Sequence, residues 1–477
     1  MVEGTAYVGI EETRQTLEAW GQAHLLRFWP ELNAGQREAL LDDLNRVDFE
    51  QVGCLIPTHV LAAPEAGVQQ QIEPPDVIQL GPGSPPHREA AAAGAEMVAA
   101  GRVAALVVAG GQGTRLGYDG PKGMFPISPV KNKSLFQLFA EAIRSAQQRY
   151  GGTVPWYVMT SDLNDAPTRE YFAANHHFGL RPENVIFFTQ GMMPALGTDG
   201  RILLDQKHRV AMSPDGHGGT LRALAATGAL RDMARRGVEA ISYFQVDNPL
   251  VRPVDPVFLG RHRITKSQLS SLTVTKADDL EKVGNFARVG GRTCVIEYSD
   301  LPEELARARN ADGSRRLNYG SIAVHVFARS FVEQLTENIH AMKLPWHRAL
   351  KKVPYVDPVS GERIEPAAPN AVKLEMFVFD ALPLAERTLI LESERAEVFS
   401  PVKNATGVDS AQSARRDLIA RAAVWLQSCG VRVPRRPDGE VDATLEISPL
   451  FALDRAELAE RLTEKPIIRP RDALYLE

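Results

Sequence analysis

The residues of this chain best placed to do chemistry lie in one glycine-rich run, Val107-Val108-Ala109-Gly110-Gly111-Gln112-Gly113-Thr114-Arg115-Leu116-Gly117, and in the Gly120-Pro121-Lys122-Gly123 that follows it. Glycines let backbone N–H groups approach a ligand closely. A row of such groups suits phosphate oxygens or the edge of a base. Arg115 and Lys122 add formal positive charge. Three chemistries compete for the loop. A Walker A loop needs G-x-x-x-x-G-K-[ST], but Lys122 follows a proline and precedes a glycine. The dinucleotide fingerprint needs G-x-G-x-x-G. Gly111, Gly113 and Gly117 are spaced one residue too long, and Lys131-Asn132-Lys133 stands about 20 residues on, where an acid should hold a ribose. A nucleotidyltransferase loop, with an arginine and a lysine on a triphosphate, accounts for both cations.

Such a loop must be held at the end of a buried strand, and the pattern around it supplies one. Val103–Ala109 is the first of seven strand candidates, the others being Val154–Thr160, Asn184–Thr189, Ala240–Val246, Ser270–Thr275, Thr293–Tyr298 and Ile322–Phe327. Helical patterns fall at about 134–150, 166–177, 219–236, 328–338 and 371–386. Strands alternating with helices predict a parallel α/β sheet with helices on both faces. The strand-rich stretch 270–330 predicts antiparallel additions at one edge. Residues 11–50 read as helical, with Leu17, Trp20, His24, Leu25 and Phe28 at three- and four-residue spacing. The Pro/Gly-rich stretch 63–87 (APEAG, EPPD, GPGSPP) reads as a linker or strap, and an alanine-rich helix follows at about 87–101. The expected organisation is a helical N-terminal region over 1–100, a catalytic domain over 101–390 and a small β-containing domain over 391–477.

Composition sets the outer bounds. A chain of 477 residues with 44% hydrophobic and 24% charged residues can bury a large core, which excludes wholesale disorder. A formal net charge of −5 argues against a general basic field for nucleic acid. Cys54, Cys294 and Cys429 lie far apart and form no C-x-x-C, so neither a zinc knuckle nor a disulfide framework is indicated, and a reducing compartment is expected. His176-His177, His208 and His347 lack metal-ligand spacing and read as structural or surface residues. The N-terminus shows no basic region followed by an apolar stretch, and the longest apolar run is far short of the roughly 20 residues of a membrane helix. A cytoplasmic protein, monomeric or homodimeric, is expected.

The motifs together resemble a family. GGQGTRLG with PKG is similar to the signature of the eukaryotic-type UDP-N-acetylglucosamine pyrophosphorylases, within the wider UDP-sugar pyrophosphorylases. The segments QGMMPAL, SPDGHGG, FQVDNPLVRPVDPVFLG, EKVGNFARV, VIEYSDLP, LNYGSIAVHVF, NAVKLEMFVFD and FSPVKN recur in the family's order over roughly 104–410. The resemblance implies a nucleotidyltransferase-type, Rossmann-like mixed sheet. It also implies a reaction of UTP with a sugar 1-phosphate, giving a UDP-sugar and pyrophosphate with Mg²⁺.

It implies roles as well. Arg115 and Lys122 would grip the phosphates, with Lys403 completing the catalytic group. Val108, Ala109, Gly110 and Gly111 would present backbone to the uracil, Gln190 would read it through its amide, and Gly216 would allow close approach. Asp247, at a strand's carboxyl end, would bind the metal, because Mg²⁺ takes one or two protein carboxylates plus substrate oxygens. Lys373 would lie on the phosphate side. Gly284, Glu297, Tyr298 and Asn318 would face the sugar, together with His217 and Lys403.

Two positions depart from the family near the sugar. His217 stands where the acetylglucosamine enzymes are expected to carry asparagine, and Gly320-Ser321 replaces a G-N pair. Gln112 and Thr114 favour the acetylglucosamine branch, while the G-H-G at 216–218 resembles UDP-glucose or broad-specificity enzymes. N-Acetylglucosamine 1-phosphate is the expected substrate, with a glucose or broad-specificity enzyme as the alternative. A catalytically silent UDP-sugar sensor would tolerate the altered sugar side but need not keep the phosphate-side cations.

Overall fold

The computed structural model describes residues 9–62, 72–338 and 342–477. They gather into two compact units that interleave along the chain, where the sequence reading has three consecutive segments. The larger takes Gln70–Thr189, Ala223–Glu337 and Phe379–Glu477; the smaller takes Met1–Gln69, Gln190–Arg222 and Asn338–Val378. The start of the expected linker, residues 63–67, lies outside the described residues.

A ten-stranded mixed sheet organises the larger unit. Its strands are β1 (Ile72–Glu73), β2 (Val103–Val108), β3 (Trp156–Thr160), β4 (Val185–Thr189), β5 (Ala240–Gln245), β6 (Leu269–Thr275), β7 (Gly284–Val289), β8 (Arg292–Ile296), β9 (Tyr319–Ala328) and β10 (Thr388–Glu392). The main path runs β1-β7-β9-β5-β2-β3-β4. Its parallel half is β5-β2-β3-β4. Beyond β5, strand β9 runs antiparallel to β5, β6 and β7. Every residue of Val103–Val107 is buried, so both faces of β2 are covered, as a doubly packed parallel strand requires. The chain leaves β2 toward β3 on one side, while β5 lies on the other. The carboxyl end of β2 is therefore the point where strand order reverses, the usual ligand crevice of an open α/β sheet.

Strand β9 carries a local irregularity. Its pairing with β6 shifts between Ser271 and Thr273, and Ala323 has φ 54°. A bulge of this kind bends the strand. The bend lies next to Gly320 and Ser321, which pair with Asn285 and Gly284 of β7. The C-terminal part of this unit packs the helix Ala411–Ser428 on the parallel pair Thr444–Ile447 and Ala473–Leu476. It is tied to the stretch after the glycine loop. Glu446 accepts the amides of Val130 and Lys131 at 2.7 and 2.8 Å, and the buried Lys133 ammonium meets Glu141 at 2.7 Å.

The smaller unit has its own apolar core, joining Leu17, Leu25, Leu40, Leu44 and Val52 to Leu196, Ile202, Val372 and Leu374. Here one expectation fails. Residues 371–386, expected to be helical, open with the strand Ala371–Met376, paired with Trp346–Lys351, and continue as a short 3₁₀ segment, Val378–Leu384. Val372, Leu374 and Met376 are buried, and Lys373 and Glu375 are less so. That alternation is a strand's period, masked in the sequence by the apolar run behind it. Likewise 219–236 is two helices, Gly219–Ala226 and Ala229–Arg235, divided at Gly228 with φ 79°. The helix Pro256–Ile264 and strands β7 and β10 were not anticipated.

The unanticipated helix matters because it fits closely. A Cβ on Gly94 of the helix Pro85–Ala99 would lie 1.9 Å from the Pro256 carbonyl, and one on Gly260 would lie 1.8 Å from that of Ala90. Only glycine permits this approach. Gly94→Ala should therefore lower unfolding stability by about 1–3 kcal/mol, seen as a reduced Tm; an unchanged Tm contradicts the packing.

Candidate active site

The glycine loop starts where β2 ends, and its carbonyls are tied down. Ala109 donates its amide to Met159 at 2.8 Å. The fully buried Asn164 donates Nδ2 to the Ala109 carbonyl at 2.8 Å and to that of Gly111 at 3.3 Å. Ser161 donates Oγ–H to the Gly110 carbonyl at 2.9 Å. The far side of the loop closes on itself: Gly113 donates to Gly120 at 2.9 Å and Lys122 to Gly111 at 3.1 Å. The turn between uses Gly117 at φ 70°. What remains is a set of amides. Among the described residues, those of Gly110, Gly111, Gln112, Thr114 and Arg115 are donated to no protein acceptor. Free N–H groups in a row form a cradle for an anion or a base edge.

Lys122 projects from this frame. A Cβ on Gly123 would lie 2.2 Å from the Phe136 ring, so the glycine of PKG lets the lysine's own segment seat against the helix Leu135–Tyr150. The Lys122 ammonium stands 3.7 Å from the Asp247 carboxylate, their side chains 16% and 15% exposed. Val402 donates to the Asp247 carbonyl at 2.8 Å, which brings the segment carrying Lys403 to the same place. Desolvation lowers the Lys122 pKa; Asp247 opposes this, and the positive charges of Lys403 and Arg115 add to it. Lys122 thus pairs with Asp247 while two further cations, Lys403 and Arg115, lie near enough to oppose its charge. Arg115 and Lys403 have no ion pair among the described residues. Like charges gathered this way favour an anionic ligand.

Among the sugar-side candidates in this unit, a Cβ on Gly284 would lie 3.5 Å from Glu297 Oε1 and 3.7 Å from Ser321 Cβ. Nearer still, at 2.5 Å, is Val295 Cγ1, so the glycine lets Val295 pack closely beside Glu297 and Ser321. Tyr298 is exposed. Asn318 accepts from Arg315 at 3.3 Å. Asn285, buried beside Gly284, accepts from Lys276 at 2.7 Å.

In the smaller unit, Gln190, Gly216 and His217 come together. Gln190 Nε2 donates to the Gly216 carbonyl at 2.8 Å and to Asp215 Oδ1 at 3.3 Å. Gly216 has φ 83°, and a Cβ there would meet the Met376 carbonyl at 2.4 Å. His217 stacks on Phe377 with ring centres 5.4 Å apart, and His347 lies on the same ring at 4.3 Å. Desolvation pushes the His217 pKa down to about 4, assisted by His347. The ring is neutral near pH 7. Val378 donates its amide to Nδ1 at 3.1 Å, which leaves the ring hydrogen on Nε2. Lys373 sits on the strand Ala371–Met376, opposite Ala349.

Known proteins settle the kinship. A sequence profile described as UTP–glucose-1-phosphate uridylyltransferase matches residues 69–427. The chain belongs to that family. It is a nucleotidyltransferase, and the matched stretch contains the motif run over roughly 104–410. A human protein named UDP-N-acetylhexosamine pyrophosphorylase-like protein 1 is 38% identical over 499 residues, covering 97% of each chain. The UDP-N-acetylglucosamine pyrophosphorylase of Saccharomyces cerevisiae is 34% identical, covering 88% of this chain and 92% of its own. The crystal structure of the Trypanosoma brucei UDP-N-acetylglucosamine pyrophosphorylase matches with a TM-score of 0.82 and 25% identity, covering 100% of this chain and 99% of that one. UDP-sugar pyrophosphorylases of this kind use a divalent metal ion. No helix among the described residues of this uridylyltransferase is long and apolar enough to cross a membrane.

Sequence reasoning missed Asn164, Ser161 and Asp215. Each is an ordinary polar residue whose purpose appears only through long-range contact. Asn164→Ala strands the buried Ala109 carbonyl. It should cost about 1–3 kcal/mol in stability and weaken UTP binding measured by titration; undiminished UTP affinity would show that the loop needs no such support.

Proposed function

We propose that this uridylyltransferase forms UDP-N-acetylglucosamine and pyrophosphate from UTP and N-acetylglucosamine 1-phosphate. The observation that carries the reading is the Lys122–Asp247 pair, with Arg115 and Lys403 close enough to act on Lys122, beside a row of undonated amides. Similarity to proteins named UDP-N-acetylglucosamine pyrophosphorylase over most of the chain supports the sugar.

The sugar-phosphate oxygen attacks the α-phosphorus of UTP in line; a new P–O bond forms as the bond to pyrophosphate breaks. Both reactants are polyanions, so bringing them together and neutralising charge does most of the work. Arg115 suits a two-pronged phosphate contact and Lys122 acts as a point charge. Lys403 and Lys373 serve the phosphate side as well. Val108, Ala109, Gly110 and Gly111 offer backbone to the uracil, with Gln190 and Gly216 reading it. Gly284, Glu297, Tyr298, Asn318 and His217 serve the sugar. No covalent nucleophile or base is required, because the sugar phosphate is already dianionic near neutral pH.

We take the divalent ion to be Mg²⁺. Among the described residues no group of three or more acidic, histidine or cysteine side chains could hold a metal. Asp247 therefore fits as a single carboxylate ligand completed by substrate oxygens. Bound there, the ion would neutralise phosphate charge. The unpaired Cys54, Cys294 and Cys429 suit a reducing cytoplasm.

Incubation with UTP, Mg²⁺ and a panel of hexose 1-phosphates should release pyrophosphate fastest with N-acetylglucosamine 1-phosphate; no release with any sugar overturns the reading. Lys122→Ala should lower turnover by ~10²–10³ without unfolding, and near-full activity would remove Lys122 from the chemistry. A glucose preference has one structural argument, the ring of His217 in place of an amide. His217→Asn should shift relative rates toward the N-acetylated sugar; unchanged ratios across the panel would separate His217 from specificity.

A further inference from the structure

Asp215 is a buried carboxylate with no ion pair of its own among the described residues. It is 1% exposed. The nearby Arg222 guanidinium is engaged by Gln51 at 2.7 Å and Asp48 at 3.4 Å. Among the described residues Asp215 Oδ2 has no hydrogen-bond partner. A buried anion of this kind costs stability, and an asparagine or leucine of the same size would fill the space without that cost.

The carboxylate is closely flanked. A Cβ on Gly191 would lie 2.4 Å from Oδ2, and one on Gly219 would lie 2.0 Å from Oδ1. Two glycine backbones therefore flank it. Its own backbone is fixed too: Asp215 donates to the Gly191 carbonyl at 3.1 Å and accepts from Met376 at 2.8 Å. The one side-chain hydrogen bond recorded for this carboxylate comes from Gln190 Nε2, whose second hydrogen goes to the Gly216 carbonyl. An ionised carboxylate and a backbone carbonyl can only accept. Both hydrogens of the Gln190 amide are thereby consumed, and its nitrogen cannot exchange places with its oxygen. The remaining capacity is on Oε1, an acceptor.

We propose that Asp215 is a positioning residue that locks the Gln190 amide with its oxygen toward the base, so that the site accepts a pyrimidine bearing N3–H and rejects one bearing an N3 lone pair. Uracil is of the first kind and cytosine of the second. The inference rests on Gln190 reading the base. A carboxylate does this better than an amide because it has no donor with which to bind the wrong end of Gln190.

The test is kcat/KM for UTP and for CTP in the wild type, Gln190→Ala, Asp215→Leu, Asp215→Ala and Asp215→Asn. Asp215→Leu and Asp215→Ala should reduce the UTP-over-CTP preference by at least about tenfold, with the change mostly in KM. Asp215→Asn keeps an acceptor but adds a donor, so its preference should fall between those of the wild type and the leucine variant. An unchanged preference in the leucine and alanine variants, with a reduced one in Gln190→Ala, overturns the role of Asp215. An unchanged preference in Gln190→Ala shows instead that the base is read elsewhere. A wild-type measurement stands apart from whether the variants fold. Both Gln190 side-chain amide protons should exchange slowly with solvent in NMR spectra, and exchange at the rate of a free amide overturns the lock.

Discussion

Lys122, paired with Asp247 at the carboxyl end of parallel strands, stands within the field of two further cations, Arg115 and Lys403, and the rest of the larger unit supports that cluster. Without an anion, Arg115, Lys122 and Lys403 repel one another, and the desolvation of Lys122 makes its charge harder to sustain. Such a cluster persists only on a rigid base. The base is the strand Val103–Val108, buried through Val107, the hydrogen bonds from Asn164 and Ser161 that hold the loop carbonyls, and the close approach of Gly123 to Phe136. Catalysis by charge neutralisation needs this kind of preorganisation, because groups already in place need not reorganise as the transition state forms.

The smaller unit applies the same logic to recognition. Gln190 and His217 are both groups whose hydrogen-bonding sense is ambiguous in isolation. Each is made unambiguous by a backbone partner: the Gly216 carbonyl accepts from Gln190, and the Val378 amide donates to His217. Met376 and Val378, which flank Phe377, bond to the loop that carries Asp215, Gly216 and His217. The positions proposed to read the base and to face the sugar thus share one short framework.

The glycine loop was legible in the sequence because its chemistry is local. Glycines, a proline and two cations at fixed spacing exclude the Walker and dinucleotide loops without any tertiary information. The strands Val103–Val108, Trp156–Thr160 and Ala240–Gln245 were legible as apolar runs of strand length. The failures have physical causes. Ala371–Met376 looked helical because the apolar residues after it complete a helical period, whereas pairing with Trp346–Lys351 decides the matter. The pattern over 219–236 ran straight through Gly228, whose left-handed backbone breaks it. The helix Pro256–Ile264 has glycine at Gly260, which weakens a helical signal but permits contact with Gly94. Asn164 and Asp215 could not be read at all, since a polar residue that acts on distant backbone or on another side chain leaves no periodic trace.

The claim that a cation cluster grips a triphosphate is tested most directly by calorimetric titration with uridine, UMP, UDP and UTP at one ionic strength. Affinity should climb with each added phosphate and fall steeply for UTP as salt is raised. Equal affinity for uridine and UTP would contradict the account.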